Sequence, residues 1–105
     1  MEFDKVIALA DVREKQAFAM LSYCVGKMDI DKVQKQVDLY CNNLAISFLE
    51  EHKEIMGDRE IQIKMYRHIS ELGANKKHSG HRFYEALYTQ MHLAKESEEE
   101  KHYKN

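Results

Sequence analysis

No proline interrupts these 105 residues, and glycine occurs only at Gly26, Gly57, Gly73 and Gly80. Proline and glycine are the strongest local interrupters of regular structure, so a chain this poor in them folds into a few long segments. The apolar residues decide which kind. They recur at spacings of three and four along Ile30, Val33, Val37, Tyr40, Leu44 and Phe48, then along Ile61, Met65, Ile69 and Leu72. A further series runs through Phe83, Leu87, Met91 and Ala94, with Tyr84 and Tyr88 beside it. Such spacing marks helices that bury one face, and no alternating run suggests a strand. The expected fold is all-α, an antiparallel four-helix bundle.

The glycines set the expected boundaries. Gly26, Gly57 and Gly73 each stop a helix, while Asp29 or Asp31, Asp58 and Ser79 stand where the next N-cap is needed. Helices are therefore predicted near 3–26, 31–56, 59–72 and 80–97. The capping-box spacing of Asp11 and Glu14 offers a second start inside the first helix, near residue 11. A chain of this length makes one domain, burying roughly 65% of its unfolded surface. We assign that domain to 1–97 and expect the charged tail 98–105, which lacks an apolar stripe, to fray.

Two regions are too apolar for simple surface helices. The stretch AFAMLSYCV, residues 17–25, has only Ser22 as a clearly polar member. In the second helix Leu39 and Ile46 share a face opposite the main stripe. Helices apolar nearly all round are either central or covered by another chain. With four helices available, the expectation is a central hairpin of the first two and a homodimer whose interface includes Leu39 and Ile46. Cys24 and Cys41 lie within apolar runs and are expected to be reduced, small core residues.

The formal net charge of −2 gives no global attraction to nucleic acid or membrane, yet it is unevenly spread. Residues 1–58 sum to −4 and 83–105 to −2, while 59–82 sum to +4 and also hold His68, His78 and His81. Lys64, Arg67, Lys76, Lys77, His81 and Arg82 are the candidate partner- or phosphate-binding residues, with Tyr66 and Tyr84 available for stacking. No apolar run approaches the ~20 residues of a membrane span, and the N-terminus lacks the form of a signal peptide. A cytoplasmic protein with no membrane contact is expected.

Signals for chemistry are sparse. The residues three before the helical histidines are Leu49, Met65 and Thr89, so no Glu-x-x-His pair is present, and no metal site is expected. No cofactor-binding loop, G-x-S-x-G or accessible nucleophile stands out, and the protein is not expected to be an enzyme. His92 with Lys95 loosely resembles the motif of histidine phosphotransfer domains, which would imply a phosphorylatable His92. Glu96, however, stands where that motif carries glycine. The stretch HISELGANKKHSGHRF resembles the turn of a DNA-binding helix-turn-helix, matched by Ile69, Glu71, Leu72, Gly73, Ala74 and Asn75. That resemblance implies phosphate and groove contacts from the basic residues that follow. The match departs from the motif at Ser79, where an apolar anchor belongs, and at Gly80.

These features favour a small non-catalytic helical protein, a protein–protein interaction or regulatory module that pairs with itself or with another protein. A nucleic-acid-binding regulator using a helix-turn-helix-like basic region at residues 64–82 is the alternative.

Overall fold

The computed structural model describes the backbone of residues 3–74 and 81–103, and the side chains of 3–72 and 81–96. It is all-α. Its helices are α1 (Phe3–Cys24), α2 (Ile30–Glu51), α3 (Glu54–Gly57), α4 (Arg59–Ala74) and α5 (Arg82–Tyr103).

α1 runs unbroken through Asp11, without the restart that the capping-box spacing offered. It ends where Gly26 takes a φ of 84°, a left-handed conformation open to glycine and strained for residues with a Cβ. The Val25 N–H then reaches the Leu21 carbonyl at 3.0 Å, and the Lys27 N–H reaches Cys24 at 3.1 Å. Asp29 occupies the N-cap position of α2 through its backbone, its carbonyl accepting from the Val33 N–H at 2.9 Å.

The second predicted helix, 31–56, is divided. The His52 N–H still bonds to the Phe48 carbonyl at 3.0 Å, and its ring packs on Phe48 with centroids 4.7 Å apart. Next, the Ile55 N–H closes on the His52 carbonyl at 3.0 Å, a three-residue step tighter than α-helix. The chain turns there, and the single turn α3 packs against α4 and α5 with Ile55 completely buried. Asp58 caps α4 with its side chain: Oδ1 accepts from the N–H groups of Glu60 (3.0 Å) and Ile61 (3.3 Å). Such a cap contributes about 1 kcal/mol. At the other end of the chain, α5 continues to Tyr103, beyond the predicted limit of 97.

α2 and α5 form the most extensive helix–helix contact, with α1 against both. The two run in the same sense, since Asp38 meets Arg82 at one end while Ile46 and Leu49 lie beside Leu93 and Ala94 at the other. α4 runs opposite to α5, with Tyr66 beside Tyr88 and His68 beside Tyr84. The core where these helices meet includes Val6, Val37, Phe48, Met65, Phe83, Leu87 and Met91, all fully buried. Phe48 and Phe83 meet edge to face at 5.7 Å, a geometry aromatic quadrupoles favour. Ile30, first in the predicted stripe of α2, is exposed at the first residue of that helix. Both cysteines are free and buried. The molecule measures 49 × 31 × 25 Å.

Candidate interaction surface

The inner face of α2 buries Val33, Val37, Cys41, Ala45 and Phe48, at steps of four and three that keep to one side of the helix. The same geometry drives Leu39 and Ile46 outward. Leu39 is 57% exposed and Ile46 40%. Ile46 also forms the edge of an open groove of about 430 Å³ between α2, α3 and α5, with Leu49, Met56, Leu93 and Ala94 supplying apolar walls and Glu50, Lys53 and Gln90 the rim. Leu93, on the far side, is itself half exposed.

α1 repeats the pattern. Ala10, Ala17 and Cys24 face inward, and Leu9, Val12 and Tyr23 face out. In the apolar stretch 17–25 the structure divides the residues: Ala17 and Cys24 are buried, Met20 and Leu21 are half-buried, and Phe18, Tyr23 and Val25 are exposed. Together with Met28 and Ile30 they leave an apolar tip at the α1–α2 turn, where the Lys27 ammonium lies 3.7 Å from the centre of the Tyr23 ring. The excess of apolar residues in 17–25 signalled this surface. The outward Leu93 gave no comparable signal, because one leucine beside a helical stripe is unremarkable until its neighbours are known.

Four of the six candidate cations, Lys64, Arg67, His81 and Arg82, fall among the described residues. Lys64 pairs with Glu60 on its own helix at 3.4 Å, and Arg82 reaches across to Asp38 of α2 at 3.4 Å. Arg67 is exposed on α4, and no ion pair among the described residues involves it. His81 is half-buried, its ring 6.5 Å from that of Tyr84. Lys76 and Lys77 lie outside the described residues, as does Ser79, the expected cap. His68 is wedged between the rings of Phe3 and Tyr84 rather than lying on an open basic face. Tyr84 is buried, so it is not available for stacking on a ligand. Tyr66 is half-buried against Tyr88 and His92.

Carboxylates from α1 hold the start of α5. Glu14 Oε2 accepts from the backbone N–H of Phe83 at 3.0 Å and of Tyr84 at 3.2 Å, while the Tyr84 hydroxyl donates to Asp11 Oδ1. Of the two residues spaced like a capping box, Glu14 thus caps another helix, satisfying N–H groups that a helix cannot bond internally, while Asp11 holds the Tyr84 hydroxyl. Burial nevertheless raises the Glu14 pKa above the usual carboxylate value, outweighing the backbone donors of Tyr84, Phe83 and Arg82 that favour the charged form. Its second oxygen, Oε1, is buried without a hydrogen-bond partner among the described residues. Burial, and then the hydrogen bond to Asp11, push the Tyr84 phenol well up. With Asp38 on Arg82, three carboxylates surround the first turn of α5, whose Phe83, Tyr84, Ala86 and Leu87 are buried.

Cys41 borders a small polar cavity of about 240 Å³ between α2 and α5, with Asp38, Asn42, Arg82, Glu85 and Thr89 around it. Burial, reinforced by the negative charge of Glu14, pushes its thiol up to about 11, which makes it a poor nucleophile at neutral pH. Among the described residues no three His, Cys, Asp or Glu side chains converge as a metal site. No helix among them is long and apolar enough to cross a membrane. Compared with known proteins, the chain matches no protein family, no curated protein and no solved structure.

Proposed function

We propose that this chain is a small non-catalytic interaction or regulatory module, a homodimer built on four long helices in a distorted antiparallel bundle, with α3 as a folded-over extension of α2. One observation carries the reading. Eleven large apolar side chains among the described residues are between 39% and 76% exposed, grouped on the outer faces of α1 and α2, at their turn, and at Ile63 and Leu93. Scattered singly, exposed apolar residues need no explanation, but contiguous helix faces of them mark association surfaces. Covering such faces removes apolar area from water at roughly 25 cal/mol per Å², and a helix face laid on another helix is a common way to do it.

Light scattering across a concentration series tests the homodimer. A dimer mass is expected, and Leu39→Glu or Ile46→Glu is expected to give a folded monomer. A dimer retained after both changes sinks the role of these residues. A wild-type monomer up to about 200 µM, a concentration that detects any interface at least as strong as about −5 kcal/mol, sinks the homodimer.

The alternative, phosphate recognition through residues 64–82, draws on the exposed Arg67, which joins no ion pair among the described residues, and on the +4 charge of 59–82. It is separated by salt. Contacts to about five phosphates weaken steeply as salt rises, whereas apolar helix faces do not. Fluorescence anisotropy with labelled duplex DNA and single-stranded RNA reads this directly. Tight binding lost on reversing Lys76 and Lys77 together would favour the alternative.

A further inference from the structure

We infer that the partner covering the α2 face is a second copy of this chain, laid antiparallel across it so that Lys35 of each copy meets Glu50 of the other and Leu39 of each meets Ile46. This rests on the homodimer reading above and adds its orientation and register.

The outer face of α2 is symmetric in a specific way. Lys35 precedes Leu39 by four residues, and Glu50 follows Ile46 by four. Turning the stretch from Lys35 to Glu50 end for end about Asn42 and Asn43 superposes cation on anion and apolar on apolar, while beyond it the same turn brings Lys32 toward Lys53. The match within the stretch is what a two-fold axis requires, since residue i meets j and j meets i. A parallel pairing would instead set Lys35 against Lys35 and Glu50 against Glu50. All four side chains are exposed, and neither Lys35 nor Glu50 belongs to an ion pair among the described residues.

Two further observations point the same way. The last turn of α2 holds no basic residue, although the free carbonyls at a helix C-terminus favour a cation. Arg13 answers Glu51 there at 3.2 Å, and no ion pair among the described residues involves Glu50. A lysine from the second copy answers it. The shapes also differ along the face: Leu39 projects, while Ile46 edges the open groove walled by Leu49, Met56 and Leu93. In the antiparallel register each projecting Leu39 lies over the groove of the other copy, a knob above a hole, at both ends of the paired stretch.

The outer stripe of α1 lacks this symmetry. It starts with Lys5, runs through Leu9 and Val12, and ends at Tyr23 under the Lys27 ammonium, so both ends are positive. Reversing it sets cation against cation. Self-pairing belongs to α2.

Charge reversal in the full-length chain tests the register, with self-association followed by analytical ultracentrifugation in low salt and helicity checked by circular dichroism. Lys35→Glu alone and Glu50→Lys alone each convert two attractive pairs into repulsive ones. Either should raise the dimer Kd by about tenfold, an effect that shrinks at high salt. The double variant Lys35→Glu/Glu50→Lys restores both pairs and should return Kd to near the wild-type value. A dimer that dissociates on Leu39→Glu yet ignores both single reversals overturns the antiparallel register and leaves the homodimer standing. Single reversals that weaken the dimer with no rescue in the double variant also overturn the register. A wild-type chain monomeric throughout overturns the register and the homodimer together.

Discussion

Replacing Glu14 by alanine removes the group that joins the middle of α1 to the start of α5. Two backbone N–H groups, of Phe83 and Tyr84, then lose their acceptor in a partly buried setting. Each such bond contributes about 1 kcal/mol net, and loss of a helix cap costs ~0.5–2 kcal/mol. Against this stands the unfavourable burial of the carboxylate, which raises its pKa. A folded-state pKa above the unfolded value means that the native protein holds a proton the unfolded chain releases. The stability from this group is therefore fully present below a pH of about 4.5 and fades as pH rises through the folded value. Glu14→Ala should cost about 1–2 kcal/mol near pH 5 and less near pH 8, because the wild type alone carries the charge-burial penalty at the higher pH. At about 4–8 °C per kcal/mol for a domain of this size, Tm should fall by roughly 5–15 °C at the lower pH. Glu14→Gln keeps an acceptor oxygen without the charge and should equal or exceed the wild type near pH 8. Thermal melts by circular dichroism at the two pH values measure all of this. A gap between wild type and Glu14→Ala that widens with pH, or no gap at either value, would refute the reasoning.

The core and the thiols give further tests. Phe48→Ala removes a fully buried ring that packs against both His52 and Phe83 and should cost about 3–5 kcal/mol, read as a lower urea midpoint; a loss under ~1 kcal/mol would contradict its central position. Cys24 and Cys41 should resist alkylation near pH 8 until the chain is unfolded, since both are buried and the Cys41 thiol is pushed up to about 11. Labelling of Cys41 in native protein at the rate of a free thiol would show that the α2–α5 interface opens readily.

The all-α class, the inner stripes of α4 and α5, and the Asp58 cap were legible because each rests on residues within a few turns of one another. In α2 the stripe held at Val33, Val37 and Phe48, but the burial between them falls on Cys41 and Ala45 rather than Tyr40 and Leu44. The same local spacing put Leu39 and Ile46 opposite the buried stripe, where both prove exposed. Sequence also marked 17–25 as too apolar for a surface helix, but not which of its residues would stay uncovered. That depends on where α5 begins, and α5 begins beside Glu14 and Asp38.

Other features became visible only when distant segments met. The break after Glu51 carries no local glycine or proline signal; it accompanies the burial of Ile55 against α4 and α5. Asp11 and Glu14 have the spacing of a local cap, yet they serve N–H and hydroxyl groups about 70 residues away. Arg82 reads as a phosphate donor in a basic stretch until Asp38 is found 3.4 Å from it. Periodicity and capping are short-range consequences of backbone geometry, so the sequence determined the helices and their inward faces. Ion pairing and the burial of charge depend on which helices become neighbours, and only the tertiary structure decided that.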